Sequence, residues 1–324
     1  MSARRPQPRA TGYRASQKPG RPGAPPYGGA DRTARPWSSA SAGPRNRQGL
    51  YYDPAYVSET DDREIREWLA TLHPIWEERY SSRNPPPPGQ QQRRLLRPVY
   101  WLGNWQFACL DYYHPPQGIL NRCVAAEPYP AVLARLVARA EEITRKRFSP
   151  ADIPAGWHLN TCLVNFYGDR IEEGRRIDAA RVGEHKDFEP GPVASISLGE
   201  RALFQFVRSA RRGDQADVVH PQWLDDRSLL IFGGEQWKSR TFHRVLRVDR
   251  RAGCRFAPEI PGFETRRVNF TFRFVPDEHI VPLAELTPDA RADVRGYIEE
   301  LAPYSAFFRD ALARADAKLP ERAP

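Results

Sequence analysis

The sequence predicts a mostly β domain with flanking helices, an α+β fold of the jelly-roll kind. From residue 158 onward, short apolar or alternating segments are separated by turn residues, which is typical of strands. Amphipathic helical segments precede and follow them, so we expect helices to cover a β-rich core. The candidate strands cover residues 158–167, 193–199, 202–207, 228–232, 242–248 and 267–275.

The first predicted helix lies within residues 51–80. Ser58 and the acidic residues after it suit an N-cap, and Ile65 and Trp68 follow at helical spacing. Residues 83–93, which contain four consecutive prolines and three glutamines, predict a linker or surface loop.

Two further helices and an aromatic segment complete the predicted elements. Residues 98–115 are rich in aromatic side chains and predict strands or a lid-like hairpin. An amphipathic helix is predicted over residues 130–147, where apolar residues recur every three or four positions. The segment 287–317 predicts a C-terminal helical region that begins near Thr287-Pro288, because proline is favoured in a first helical turn.

The basic excess of the chain lies entirely in its first 50 residues. They contain ten Arg or Lys residues and one acidic residue, Asp31, which accounts for the whole net charge of +9. The segment is rich in Pro, Gly and Ser and lacks apolar periodicity, so we predict that it is disordered. Two roles are open: a basic arm that contacts nucleic-acid phosphates, or a dispensable solubilising extension. The many prolines argue against the amphipathic helix of a mitochondrial transit peptide.

Composition also excludes several classes of protein. The sequence has no run of 18 apolar residues and no secretory signal pattern, so we expect neither a membrane span nor export. Arginine outnumbers lysine 44 to 5, which indicates a GC-rich, bacterial genome. We also expect the protein to be cytoplasmic and monomeric. The cysteines form no CxxC pair and are predicted to be reduced core thiols: Cys109, Cys123, Cys162 and Cys254.

The most informative motif is the pair His185 and Asp187. On an extended backbone, residues i and i+2 point to the same face, so both side chains can bind one metal while Lys186 faces away. A third ligand must come from elsewhere, and His243, in a later predicted strand, is the candidate. Two histidines and one carboxylate form the facial triad of non-haem Fe(II) oxygenases. A His-x-Asp pair alone is weak support, since most such pairs are ordinary hydrogen-bonded residues.

A second polar pattern lies on the last predicted strand. Arg267, Asn269, Thr271 and Arg273 alternate with apolar residues, so one strand face packs in a core and the other lines a polar cavity. The ordinary alternative is an amphipathic strand that faces water, but such a strand seldom carries two arginines. Arginine binds carboxylates through two parallel hydrogen bonds. A dicarboxylate with one end on the metal and the other on an arginine therefore suits this layout.

Asn165 and Tyr167 show the same alternation on the strand predicted over residues 158–167. They share a strand face and can donate hydrogen bonds to the same cosubstrate. Alone, the two residues are better explained as part of an ordinary structural strand.

Together these motifs resemble the AlkB-like 2-oxoglutarate/Fe(II) dioxygenases over about residues 98–276. The motifs stand in the order of that family: Asn165-x-Tyr167, His185-x-Asp187-x-Glu189, Ser195 to Gly199, His243 and Arg267-x-Asn269-x-Thr271-x-Arg273. The resemblance implies a double-stranded β-helix, another name for the jelly roll. It also implies four segments: a tail over 1–50, a helical segment and linker over 51–97, the dioxygenase domain over 98–276 and a helical extension over 277–324.

The resemblance assigns roles to individual residues. Fe(II) would be bound by His185, Asp187 and His243, with 2-oxoglutarate and O2 as cosubstrates. Arg267 would pair the far carboxylate of 2-oxoglutarate and Arg273 would lie near its metal-side carboxylate. The expected assisting residues are Asn165, Tyr167 and Asn269.

The resemblance also implies the substrate, which is DNA or RNA carrying N-alkylated bases. The reaction would hydroxylate the alkyl group and release formaldehyde, succinate and CO2. Glu189 would contact the damaged base, and the nucleotide-recognition lid would include Trp101, Tyr112 and Tyr113, although an aromatic structural cluster is the alternative there. The segment 168–184 is longer than the turn expected in the family, and such insertions reshape substrate entry more readily than metal binding.

Two other functions stay open. The same oxygenase core could act on a protein side chain or a small molecule, which the zero net charge of residues 51–324 favours. A non-catalytic nucleic-acid-binding protein with a degenerate jelly roll is the second, although the complete motif set argues against degeneration.

Overall fold

Antiparallel strands make up most of the regular structure, as the sequence predicts. The structure is a computed structural model that describes residues 45–77, 95–106, 123–208 and 217–317. The strands in these ranges are β1 (Arg45–Arg47), β2 (Leu50–Asp53), β3 (Val99–Leu102), β4 (Asn104–Gln106), β5 (Cys123–Ala125), β6 (Thr161–Glu172), β7 (Arg175–Asp178), β8 (Val182–His185), β9 (Val193–Gly199), β10 (Arg201–Arg208), β11 (Asp217–Leu224), β12 (Ser228–Phe232), β13 (Phe242–Asp249) and β14 (Phe263–Arg273). The helices are α1 (Glu59–Leu69), α2 (Ala131–Arg147), α3 (Pro288–Leu301) and α4 (Ala306–Ala317).

The strands form two main sheets. The larger sheet has the order β1-β2-β12-β9-β14-β6-β3, with β7 paired to β6, and the smaller sheet has the order β11-β10-β13-β8. Phe204 and Phe206 on β10 contact Phe232 on β12, with ring centroids 6.1 and 5.4 Å apart. Aromatic side chains thus fill part of the space between the two sheets, which face each other as in a jelly roll.

The other face of the larger sheet is covered by helices. Ile65 of α1 and Leu133 of α2 are fully buried there against the apolar residues of β6 and β14. Phe270 and Phe272, which alternate with the polar residues of β14, belong to this core. The alternation on β14 therefore separates a helix-covered apolar core from a polar interior between the sheets, as predicted.

Helix α1 is shorter than the predicted segment 51–80. Ser58 is its N-cap, and the Ser58 hydroxyl accepts a hydrogen bond from the Asp61 N–H at 3.1 Å. The residues before it form β2, which pairs with β12. Leu50 and Tyr52 face the aromatic core between the sheets and Tyr51 faces the helix-covered core. Tertiary pairing therefore decides the conformation of a strand too short to carry its own periodic signal.

The same pairing moves two predicted boundaries. β1 and the first residue of β2 lie within the segment 1–50 that was predicted to be disordered. β2 belongs to the larger sheet, so the β-rich core begins before residue 98 in the chain. The physical reason is that β2 supplies one neighbour of β12 and buries apolar side chains on both of its faces.

Most of the other elements agree with the predicted ones. Helix α2 begins one residue later than predicted, and the C-terminal helical region is divided into α3 and α4 around Ser305. The strands β9 and β12 have the predicted bounds. β11 was missed because Pro221 interrupts its pattern, and proline is tolerated there since β11 is an edge strand of the smaller sheet.

The predicted insertion 168–184 forms the end of β6, the strand β7 and most of β8. β6 and β7 make a hairpin whose turn is Glu173-Gly174, both with positive φ, 49° and 76°. Gly168 lets the β14 backbone approach closely, because a Cβ atom there would lie 1.8 Å from the Glu264 carbonyl oxygen.

Several predicted features lie partly or wholly outside the described residues. They are the segment 1–44, the linker 83–93, the aromatic residues Tyr112 and Tyr113, and Cys109. Cys123, Cys162 and Cys254 are free thiols, and the first two are buried, in agreement with the prediction. None of the helices in the described ranges is long and apolar enough to cross a bilayer.

Candidate metal and cosubstrate site

The smaller sheet brings the two predicted histidine ligands together. His185 is the last residue of β8 and lies opposite His243 on the neighbouring strand β13. Asp187 follows the end of β8 by two residues. The ligand atoms of His185, Asp187 and His243 all lie within 4.8 Å of one another. The structure therefore brings the predicted triad together from two neighbouring strands and the segment that follows one of them.

The hydrogen bonds around the triad leave its metal-binding atoms available. The Nδ1 atom of His185 is 2.8 Å from the Gly183 carbonyl oxygen, so Nδ1 carries the proton and Nε2 keeps its lone pair. The Nε2 atom of His243 lies 3.4 Å from Oδ2 of Asp187. Oδ2 is buried and, among the described residues, has no hydrogen-bond partner. Two imidazole nitrogens and one carboxylate oxygen thus converge without mutual hydrogen bonds, which fits a divalent iron ion.

The electrostatics of the triad keep its members in their metal-binding protonation states. Burial, together with the neighbouring His185, lowers the pKa of His243 to about 3, and burial also lowers the pKa of His185. Burial alone would raise the pKa of Asp187, but the Arg273 guanidinium and the two histidines hold that pKa well below its usual value. Neutral imidazoles and an ionised carboxylate are the forms that bind metal.

Arg273 orients the carboxylate ligand. Its Nε donates to Oδ1 of Asp187 at 2.9 Å, and its Nη2 lies 2.8 Å from the same oxygen. Both contacts use Oδ1, so Oδ2 is left to face the histidines. The sequence placed Arg273 near the metal-side carboxylate of the cosubstrate, and the structure shows its contact with the ligand Asp187.

The predicted cosubstrate residues share one face of the larger sheet. In the register of β6 and β14, Tyr167 lies opposite Arg267 and Asn165 lies opposite Asn269. β9 flanks β14 on the other side and places Ser197 opposite Asn269. The period-two argument from sequence is therefore correct for both strands.

Arg267 has the features of a carboxylate-binding residue. Its side chain is buried, with 1% of its surface exposed, and its Nη2 donates to the Ser197 hydroxyl at 2.9 Å. Its Nε and Nη1 have no hydrogen-bond partner among the residues that the structure describes. Burial lowers the pKa of Arg267, as expected for a cation removed from water. Buried donors without a partner are costly, and the carboxylate of a cosubstrate would satisfy both of them.

A third arginine, which sequence reasoning missed, joins this group. Arg97 donates from Nε to Oδ1 of Asn165 at 3.0 Å, and its guanidinium carbon lies 4.6 Å from the centre of the Tyr167 ring. The Arg267 guanidinium lies 4.9 Å from the same ring. Arg97 precedes β3 and is near this face only because β3 pairs with β6, a register that no local pattern reveals.

Asn269 is used by the protein scaffold. Its amide nitrogen donates to the hydroxyls of Ser195 and Ser197 at 2.8 and 3.2 Å, and its oxygen accepts from Thr271 at 2.9 Å. Asn269 therefore holds Ser197, which in turn holds Arg267. In this arrangement Asn269 supports Arg267 through Ser197, and a direct contact of Asn269 with the cosubstrate stays a prediction.

Glu189 lies beside the triad. Its Oε1 is 3.4 Å from Nε of Arg273 and accepts a hydrogen bond from Gln106 at 2.8 Å. Lys238, which is half-buried, donates to the Glu189 and Gly191 carbonyl oxygens and holds the bend that carries Glu189. Burial lowers the pKa of this lysine. Gln106 and Lys238 carry no sequence signal, because each reaches Glu189 from a distant segment.

Trp101 lies on the same sheet face as Leu163 and Asn165, at the β3 edge. It is buried, and its indole N–H donates to Glu77 at 2.6 Å, as does that of Trp105 at 2.8 Å. Its predicted base contact stays a prediction. Tyr112 and Tyr113 lie outside the described residues.

Comparison with known proteins agrees with this geometry. The sequence model of the 2OG-Fe(II) oxygenase superfamily matches residues 49–273. Similar solved structures include that of OsALKBH1, with 22% identity and a TM-score of 0.43 over 71% of this chain and 100% of that chain. They also include YcfD, a ribosomal oxygenase from Escherichia coli in complex with cobalt and succinic acid, with 12% identity and a TM-score of 0.24 over 55% of this chain and 46% of that chain. No curated protein matches the sequence.

The matched segment contains all three residues of the triad and both predicted cosubstrate arginines, and Arg273 is its final residue. The predicted cofactors, Fe(II), 2-oxoglutarate and O2, are those that give the family its name and chemistry. The chain belongs to the 2OG-Fe(II) oxygenase superfamily and is a dioxygenase.

Proposed function

We propose that this dioxygenase removes alkyl groups from the ring nitrogens of nucleobases in DNA or RNA, as AlkB-like enzymes do. The order of motifs from Asn165 to Arg273 supports this proposal within the superfamily. The basic segment over residues 1–50 is compatible with a nucleic-acid substrate, since it accounts for the net positive charge of the chain.

The observation that carries the proposal is the Glu189 carboxylate. Glu189 is 2% exposed and follows the ligand Asp187 by two residues, and its Oε2 has no hydrogen-bond partner in the described part of the chain. A buried acceptor of this kind destabilises the protein until a donor meets it. The amino group of an alkylated adenine or cytosine is a donor of suitable chemistry, and its alkylated ring nitrogen is adjacent to that amino group.

The residues of the chain divide the work of this reaction. Fe(II), 2-oxoglutarate and O2 supply the oxidation of the alkyl carbon. His185, Asp187 and His243 would hold the iron, and Arg267 would hold the far carboxylate of the cosubstrate. Phe204 and Phe232 pack around His243, with ring centroids 5.3 and 5.2 Å away, and exclude water from that side of the iron. The base must reach this buried centre flipped out of a duplex or in single-stranded form.

The test is a demethylation assay under defined loading. The protein is loaded anaerobically with Fe(II) and 2-oxoglutarate, exposed to air with oligonucleotides that carry 1-methyladenine or 3-methylcytosine, and the products are weighed by mass spectrometry. We expect a loss of about 14 Da, one methyl replaced by hydrogen, that requires both Fe(II) and 2-oxoglutarate. Succinate formation with no change in any oligonucleotide would contradict the proposal.

A second candidate is an oxygenase that acts on a protein side chain or a small molecule. The observation in its favour is that residues 51–324 contain equal numbers of basic and acidic residues, so the catalytic part has no net attraction for phosphates. The non-catalytic alternative has no such support, because the triad is assembled and its protonation states suit metal binding.

A further inference from the structure

Gln106 extends the metal site by one more side chain. It is the last residue of β4, is 3% exposed, and its Nε2 donates to Oε1 of Glu189 at 2.8 Å. Glu189 lies 3.4 Å from Arg273, which binds Asp187 at 2.9 Å. A continuous polar chain therefore runs from β4 to the metal ligand Asp187.

The orientation of the Gln106 amide is fixed by its partner. Glu189 presents an acceptor oxygen, so the amide must turn its NH2 group toward Glu189 and its carbonyl oxygen away from it. That oxygen, Oε1 of Gln106, is buried and has no hydrogen-bond partner within the described ranges. The same is true of Oε2 of Glu189. Two neighbouring, joined side chains thus each present one unsatisfied acceptor.

Two other polar residues near Gln106 have hydrogen-bond partners. Asn104 lies two residues earlier on the same face of β4, and its amide donates to the Asn160 carbonyl oxygen at 3.0 Å. Asn160 itself uses both ends of its amide, on the carbonyl and the N–H of Val275. Beside the triad, by contrast, Gln106, Glu189 and the ligand Asp187 each have a buried oxygen without a partner among the described residues. A substrate group there would satisfy those of Gln106 and Glu189.

We propose that Gln106 is a specificity-determining residue that, with Glu189, accepts hydrogen bonds from the exocyclic amino group of the substrate base. An amino group offers two N–H donors, one for each acceptor, whereas a base with a carbonyl group at that position presents a third acceptor and is repelled. The inference rests on the proposed function and adds to it a preference for amino-bearing bases. It predicts 3-methylcytosine as a substrate over 3-methyluracil.

The test measures binding without turnover. Single-stranded oligonucleotides that differ only in one 3-methylcytosine or 3-methyluracil are titrated by fluorescence anisotropy against the full-length protein, loaded anaerobically with Fe(II) and 2-oxoglutarate. The wild-type protein should bind the 3-methylcytosine strand more tightly. Gln106→Met keeps the side-chain length and charge but removes both hydrogen-bonding atoms, so it should reduce this preference about tenfold. 3-Methylcytosine is cationic, whereas 3-methyluracil is neutral. Because Gln106→Met replaces one neutral side chain by another, it leaves the electrostatic attraction between the protein and the cationic base unchanged.

Two further variants complete the design. Gln205→Met makes the same change at a buried glutamine on the smaller sheet, where the amide oxygen serves Arg244, and should leave the preference unchanged. Gln106→Asn retains an amide but is one methylene too short to reach Glu189, and it replaces Gln106→Met if that variant does not fold. Loss of preference in either Gln106 variant, with unchanged 2-oxoglutarate affinity, supports the inference.

The contradicting outcomes are distinct for the two proposals. Demethylation of both strands with equal wild-type affinities would overturn the role of Gln106 and leave the proposed function intact. A wild-type preference that survives in a folded Gln106 variant would do the same. If neither methylated strand binds more tightly than its unmethylated parent and neither loses mass, both proposals fall.

Discussion

At the scale of single residues, each member of the site is held by a neighbour that leaves one atom available. The Gly183 carbonyl oxygen accepts a hydrogen bond from Nδ1 of His185, and Arg273 donates to Oδ1 of Asp187. Nη2 of Arg267 donates to Ser197, and its other two nitrogens have no partner in the described ranges. The metal and the cosubstrate therefore have defined positions before they bind, which reduces the ordering that binding requires.

Removal of a triad member should abolish metal binding. His185→Ala deletes one of the ligands that converge within 4.8 Å, and we expect Fe(II) affinity to fall by at least about a hundredfold, with loss of 2-oxoglutarate turnover. Anaerobic calorimetry with Fe(II) measures the first effect and succinate release the second. His73→Ala, which removes a histidine paired with Glu300 outside the site, is the control. Full turnover in the His185 variant would refute the triad.

Arg273 should set the pH at which the metal is lost. The pKa of Asp187 is depressed by Arg273, and iron binding requires the carboxylate form. In Arg273→Gln the pKa of Asp187 should rise, so metal affinity should begin to fall at a higher pH than in the wild type as the solution is acidified. Metal titrations between pH 5 and 8 test this. Identical pH profiles would show that Arg273 does not control the ionisation of Asp187.

Arg267 should control affinity for 2-oxoglutarate. Arg267→Lys keeps the charge but cannot offer the two parallel donors of Nε and Nη1, so we expect the KM for 2-oxoglutarate to rise about tenfold to a hundredfold. Arg255→Lys, at a largely exposed site, is the matched control. An unchanged KM in the Arg267 variant, measured by succinate release, would remove this residue from the cosubstrate site.

At the scale of elements, β14 connects the candidate site to the apolar core, because its two faces carry different kinds of side chain. One face carries the site residues and the other is buried under the helices. Near its beginning, Arg266 joins β14 to β6 through Asp169 at 2.6 Å and binds Glu200 at 2.9 Å. Asp169 is 0% exposed and also contacts Arg176 on β7 and Arg250 after β13. This buried ion network connects the hairpin of β6 and β7 to the larger sheet.

Asp169→Asn should destabilise the fold without touching the site. Removing one partner of a buried ion network costs about 3 kcal/mol, measured as a lower free energy of unfolding in urea. Burial acts to raise the pKa of Asp169, but Arg266 and its neighbours lower it. The stabilisation is therefore present above the unfolded pKa, near 4, and is lost as the pH falls through the lower folded pKa. The difference between wild type and variant should shrink in acid, whereas Asp178→Asn, at an exposed pair, should have little effect at any pH.

At the scale of the whole molecule, the site exists only because two sheets face each other. The smaller sheet supplies both histidines, through β8 and β13, and the larger sheet supplies both arginines, through β14. Glu189 and Gln106 come from a turn and from the separate ladder of β4 and β5. Any change that alters the packing of Phe206 and Phe232 between the sheets is expected to affect metal and cosubstrate binding together.

The basic segment belongs to this scale because it carries the net charge of the chain. Deletion of residues 1–40 removes eight basic residues and one acidic residue, and should weaken binding of single-stranded oligonucleotides and flatten its dependence on salt. Affinities measured at about 50 and 200 mM salt test this expectation. Turnover of 2-oxoglutarate should be unchanged, since the triad lies elsewhere. Equal affinities and salt slopes would favour the dispensable extension.

The sequence by itself determined the fold class and which polar side chains share a strand face, because these depend on local periodicity. The roles of the triad and of the two arginines were inferred from the order of the motifs and the family that they resemble. Alternation along β14 and β6 decides which side chains share a face, whatever those strands pair with. Helix α2 and the N-cap Ser58 were predicted for the same reason, since helical spacing and capping act within a few residues.

Only the tertiary structure decided which distant residues complete the site. Arg97 and Gln106 reach Asn165 and Glu189 through strand pairing and packing, which leave no periodic trace in their own segments. The segment Leu50–Asp53 forms the strand β2 because its backbone pairs with β12. These contacts join residues that are far apart in the chain, and their free energy comes from burial and hydrogen bonds that form only when the sheets assemble.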